Sequence, residues 1–300
     1  MFIDIHCHCH DDDIPGLCRN YDGPGTRYPT PEELINILDT AGIDMAVMLS
    51  STSPAVRYCY VTPEEVLRTC RKYPKRLIPF CNLDPHFLHN SVKSDFIPML
   101  QVYKDAGFKG IGEYMPNIAF DDPLNMNLFR QIAEVGFPLI FHIAPKIGDH
   151  YGCYDDIGLP RLEKVLKNCP NLVMLGHSQP FWAEISKDVT SENRYDYPKG
   201  KVIAGRVVEL MRNYPNLHGD LSAGSGLNAI SRDLEFGAKF LEEFQDRLYF
   251  GTDICELPGE YPQVEFFKKL KNEKIISTEI YEKITWKNAA RLLELNIVPA

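Results

Sequence analysis

The sequence predicts an α/β fold with parallel strands. Two observations carry this: eight short apolar runs alternate with amphipathic stretches, and the runs recur about every 30 to 45 residues, the length of a strand–helix unit with its loops. Such a pattern suits either a closed (β/α)8 barrel or a doubly wound open sheet. No Gly-x-Gly-x-x-Gly follows the first run, which disfavours dinucleotide binding.

The expected strands are Phe2–His8, Met45–Ser51, Leu77–Leu83, Phe108–Tyr114, Pro138–Ile143, Leu172–His177, Leu217–Ser222 and Leu248–Asp253. Thr30-Pro31-Glu32-Glu33 is a capping box with proline at the first helical position. Leu34, Ile37, Leu38 and Ala41 then share one helical face, and Gly42 is placed to end that helix. Thr62-Pro63-Glu64-Glu65 repeats the device ahead of Val66, Leu67 and Cys70. Further helical faces are Phe96, Ile97, Leu100 and Tyr103, then Leu162, Val165 and Leu166. A last helix is expected over Thr278–Leu295. The two long connections, His10 to Tyr28 and Ser178 to Lys199, are expected to be functional or mobile loops.

The 300 residues, 44% of them hydrophobic, contain no linker or low-complexity segment, so a single domain over 1–300 is expected. No run approaches the roughly 20 apolar residues of a membrane span, and the first residues do not resemble a secretory signal. The net charge is −9, with Lys and Arg scattered, which argues against a nucleic-acid partner. The 9 cysteines show no disulfide framework; they read as mostly free thiols in a reducing, cytoplasmic setting, and Cys7 and Cys9 as buried thiols rather than a zinc knuckle.

The chemistry begins at Asp4-Ile5-His6-Cys7-His8. Residues two apart on a strand share a face, so His6 and His8 project together, as two ligands of one cation must. His142, His177 and Asp253 each end a different apolar run, and Glu113 stands near the end of another. Polar groups at the ends of buried strands are costly unless they are paired. In a barrel these ends meet at one mouth.

The segment Asp4–His8 resembles the first-strand signature of the amidohydrolase superfamily, in its amidohydrolase-related branch. The likeness runs through nearly the whole chain. It takes in Ala41–Val47, Gly107–Gly112, His142, Gly176-His177, Gly251-Thr252-Asp253 and Asn288–Leu292. The resemblance implies one distorted TIM barrel holding one or two divalent ions, Zn2+ first, with Mn2+, Fe2+ or Ni2+ as alternatives. It makes His6, His8, His142 and Asp253 ligands, with Glu113 a less certain one. His177 is then a ligand or the electrophile beside a substrate carbonyl, and Asp253 the proton acceptor. Asp220 is expected to orient an imidazole, Trp182 to wall the pocket, and Lys146, Arg27 or Arg57 to meet an anionic substrate group.

The expected function is a metal-dependent hydrolase that turns an activated water on an amide, ester or lactone of a small molecule. The alternative is a metal-dependent decarboxylase or hydratase of an aromatic or muconate-type acid. A non-catalytic barrel protein ranks third. The partner is a small molecule, with a homodimer allowed.

Overall fold

The computed structural model describes residues 1–11, 27–55, 60–257 and 259–297. Most of the His10–Tyr28 connection, and Arg57, lie outside them. The strands are β1 (Ile3–Cys7), β2 (Met45–Met48), β3 (Leu77–Pro79), β4 (Ile111–Tyr114), β5 (Leu139–Ala144), β6 (Cys153–Tyr154), β7 (Met174–His177), β8 (Leu217–Asp220) and β9 (Leu248–Tyr249). Each expected strand is present, β5 shifted by one residue and the others shorter than their apolar runs, and β6 is an addition that pairs in parallel with the end of β5.

All pairings between strands are parallel, in the orders β1-β2-β3 and β4-β5-β7-β8-β9. Backbone hydrogen bonds join the two groups at both seams. Between β3 and β4, Cys81 N donates to Gly110 O and Gly112 N to Cys81 O, at 3.0 and 2.9 Å. Between β9 and β1, Ile5 N donates to Phe250 O at 3.0 Å and Asp253 N to His6 O at 2.9 Å. The sheet therefore closes on itself as a TIM barrel.

Two packed layers follow from the closure. Ile3, Ile5, Val47, Leu49, Ile78, Phe80, Ile140, Leu175 and Tyr249 fill the interior, with Ala289 and Leu293 of the last helix packed against them. A larger core of Leu, Ile, Val and Phe lies between the strands and the outer helices. The barrel is distorted where it matters for the site: the β1–β2 register shifts between Asp4 and Cys7, and the β4–β5 register between Ile111 and Tyr114.

The capping signals act as the sequence suggests. Thr30 Oγ1 accepts from Glu33 N while the Glu33 carboxylate accepts from Thr30 N, and helix Pro31–Ala41 ends at Gly42 with φ +74°. The last helix covers Thr278–Leu292, ending short of the expected Leu295, and changes its turn midway. It runs as Thr278–Glu282, a π-turn Lys283–Lys287, and Asn288–Leu292. The wider turn frees the Ile284 carbonyl to accept from Phe250 N at 3.0 Å, tying the helix to the end of β9. The Ser178–Lys199 connection starts with a short helix, Gln179–Ala183, with Ser178 Oγ accepting from Phe181 N. No helix among the described residues is long and apolar enough to cross a membrane.

Candidate metal centre

Strands β1, β4, β5, β7 and β8 and the segment after β9 bring polar side chains to one mouth of the barrel. On β1, Ile3 and Ile5 belong to the barrel interior and Cys7 to the outer core. Strict alternation from Ile5 would turn His6 outward. The register shift between Asp4 and Cys7 removes that constraint, and His6 faces the mouth beside His8, their Nε2 atoms 3.0 Å apart. Asp4, also at the irregularity, accepts from His6 N and from Thr252 N and Oγ1.

Six predicted side chains converge. Asp253 Oδ1 lies 3.4 Å from His6 Nε2 and 3.6 Å from His8 Nε2. Glu113 Oε2 lies 3.8 and 3.6 Å from the same two nitrogens. Its other oxygen accepts from His142 Nδ1 at 2.6 Å and stands 3.8 Å from His177 Nε2. His177 Nε2 is 3.7 Å from Asp253 Oδ2. Three overlapping triplets have all their donor atoms within 4.8 Å of one another: His6–His8–Glu113, His6–His177–Asp253 and Glu113–His142–His177.

Asp220, at the end of β8, accepts from His6 Nδ1 at 2.7 Å and lies 3.4 Å from His177 Nδ1, which also meets Ser222 Oγ at 3.0 Å. With its Nδ1 proton held there, His6 presents Nε2 to the centre.

The electrostatics call for a cation. Burial opposes a charge on His6, yet the Asp253 and Asp220 carboxylates outweigh it and raise its pKa to about 10. Burial and the charge on His6 push His8 down to about 3. Burial also raises Asp253 to about 6. It works against ionised Glu113 and Asp220 too, but the histidines around them hold both well below the usual carboxylate range. His142 is lowered by burial, and its Nε2 is buried without any partner, as is His8 Nδ1. Imidazole and carboxylate donors with an orphaned ring nitrogen fit a divalent transition ion.

A cavity of about 110 Å3 opens onto the centre, lined by His8, Glu113, His142, His177 and Asp253 and walled by Tyr28, Met115, Tyr151, Gln179, Tyr197 and Cys255. Tyr28 stacks on His8 and Tyr151 packs against His142. Sequence reasoning did not single out these wall residues. Gln179, two residues after His177, could have been found from its place beyond a strand end; the tyrosines come from loops without periodic signal.

Three residues expected near the substrate lie apart from the cavity lining. Trp182 does not wall the cavity: it is 2% exposed, beneath it, because its indole N–H needs a buried acceptor and finds the Asp220 carbonyl at 2.9 Å. Lys146 stands outside the cavity in an exposed turn, where water solvates its charge beside Asp149. Arg27 pairs with Glu33 at the start of the first helix. Of the other histidines, His10 bonds Glu65, His86 bonds Asp84 and His218 bonds Tyr249.

Comparison with known proteins bears on the fold and the family. No curated protein sequence gives a significant match. Solved structures do. An uncharacterized TIM-barrel protein of Bordetella bronchiseptica is 21% identical over 98% of this chain and 99% of its own, with a TM-score of 0.65. A candidate 2-pyrone-4,6-dicarboxylic acid hydrolase of Pseudomonas putida is 14% identical over 99% and 98%, with a TM-score of 0.62. The 2,6-dihydroxybenzoate decarboxylase of Rhizobium is 17% identical over 99% of both chains, with a TM-score of 0.60. These likenesses establish the barrel. The amidohydrolase family model matches residues 3–295, from the first residue of β1 to beyond the last helix, so the span that builds the barrel and its mouth belongs to the amidohydrolase family.

Proposed function

We propose that the protein is a metal-dependent hydrolase acting on an amide, ester or lactone carbonyl of a small molecule. The observation that carries this reading is the position of Glu113. Its two carboxylate oxygens face two histidine groups, His6–His8 on one side and His142–His177 on the other. A carboxylate so placed would help hold metal beside both histidine groups. His6, His8, His142 and Asp253 would hold the ion or ions with it, Zn2+ first, although Mn2+, Fe2+ and Ni2+ suit the same donors. A divalent ion there supplies Lewis acidity and makes water a competent nucleophile near neutral pH. Asp253 would take the proton released from that water and pass it to the leaving group. His177, oriented by Ser222 and Asp220, would polarise the substrate carbonyl. The seven described cysteines are free, which suits a reducing, cytoplasmic setting.

A lyase reading is supported by fold neighbours described as decarboxylases and by the tyrosines around the cavity. A decarboxylase of a diacid would want a cation above the ion for the second anionic group; among the described residues no Lys or Arg lines the cavity.

Elemental analysis of protein purified without added metal tests the centre: one to two divalent ions per chain are expected, by about the stoichiometry such sites show. His6→Ala should lose them. Chelated protein that regains no ion would overturn the assignment. Assay of the reloaded protein against aryl esters, dihydrocoumarin and hydroxybenzoic acids then separates the reactions. Carbon dioxide release without any hydrolysis would replace the hydrolase reading with the lyase one.

A further inference from the structure

The segment 187–203 leaves the barrel after β7 and returns to the same place. Ser186 and Ala204 form an antiparallel bridge, and Lys187 N donates to Ile203 O at 2.9 Å, closing its neck. Such a closed loop needs an anchor of its own. Arg194 supplies one. It is 3% exposed, unusual for an arginine in a surface loop. Its Nη1 donates to the Asp155 carbonyl at 2.7 Å, and its Nη2 to the Asp156 carbonyl at 3.1 Å and to Glu184 Oε1 at 3.1 Å. Asp155 follows β6, and Glu184 caps the short helix behind His177. One guanidinium thus ties the loop to two elements flanking the metal centre.

Three residues further on, a reach of about 10 Å at most, Tyr197 enters the cavity wall. There Tyr197 shares the cavity lining with Gln179. Its ring is seated on the backbone at Gly224, where an added Cβ would lie 3.0 Å from Cε1 and 3.2 Å from the hydroxyl oxygen. The ring therefore has a defined place beside Asp253 and His177.

We propose that Tyr197 and Gln179 are specificity-determining residues that hydrogen-bond a polar group at the end of the substrate remote from the reacting carbon, and that Arg194 is the positioning residue that holds Tyr197 there. The substrate half rests on the hydrolytic reading; the anchoring half does not.

The probes are benzohydroxamate, which binds zinc, and its 3- and 4-hydroxy derivatives, titrated calorimetrically into zinc-loaded protein. The better hydroxylated probe is expected to bind wild type about tenfold more tightly than the plain one, the worth of one hydrogen bond. Tyr197→Phe should keep its zinc and lose that preference. Arg194→Ala should lose it too and speed amide exchange across 187–203. If Arg194→Ala does not fold, Arg194→Lys replaces it, since an ammonium cannot span both carbonyls and the carboxylate. Equal affinities in wild type, a preference retained in Tyr197→Phe, or unchanged exchange in the Arg194 variant would each overturn the proposal. Wild type that takes up no zinc sinks the hydrolytic reading instead, and exchange in the metal-free protein then decides the anchor.

Discussion

Asp220 Oδ2 accepts the Nδ1 proton of His6 at 2.7 Å, both groups fully buried. This bond joins β8 to β1 across the mouth and fixes which His6 nitrogen faces the centre. Asp220→Asn keeps an acceptor but removes its charge. Zinc affinity, measured by competition with a chromogenic chelator, should fall about 10- to 100-fold. Unchanged affinity would take Asp220 out of this role.

Asp253 combines a donor oxygen near His6 and His8 with a second one near His177. Asp253→Asn should retain most of the bound metal and lose about 100-fold or more in kcat. A variant with full turnover on the ester or lactone found above would end its role as proton acceptor.

Glu184 is not among the residues that line the cavity, so its titration is read through stability. Burial raises it from 4.5 to about 7, against the pull of Arg194. Between those values the folded protein holds a proton that the unfolded chain releases. The contribution is therefore fully present below about pH 4.5 and is lost as pH rises through 7, by roughly 3 kcal/mol in all. The difference in Tm between wild type and Glu184→Gln, followed from pH 5 to 8, should shift against wild type as pH rises. A difference that stays constant would contradict this.

Gly176 precedes His177 on β7, and a Cβ there would sit 2.2 Å from the Phe181 ring. Gly176→Ala should destabilise the fold by about 1–3 kcal/mol in urea denaturation. Adding Phe181→Leu should restore part of the loss, and no recovery would place the strain elsewhere.

Much of the architecture was legible in the letters because each signal is local. Apolar runs marked the strands, Thr30 and Thr62 marked helix starts, and His142, His177 and Asp253 stood where runs stop. Trp182 and Lys146 do not line the cavity, and residue type alone does not say on which side of a loop a side chain falls. Tyr28, Tyr151 and Tyr197 carried no pattern at all, since loop residues meet the cavity only through the path of the folded chain.

The chain's own periodicity determined the alternating α/β order and the shared face of His6 and His8. Tertiary structure decided whether that face looked inward. Ile5 and His6 both point into the barrel only because the register shift between Asp4 and Cys7 breaks the two-residue alternation. Closure of β9 onto β1, held by Asp253 N on the His6 carbonyl, then sets Asp253 beside the two imidazoles. Side-chain parity is a property of one strand, whereas a bulge and a seam exist only between two.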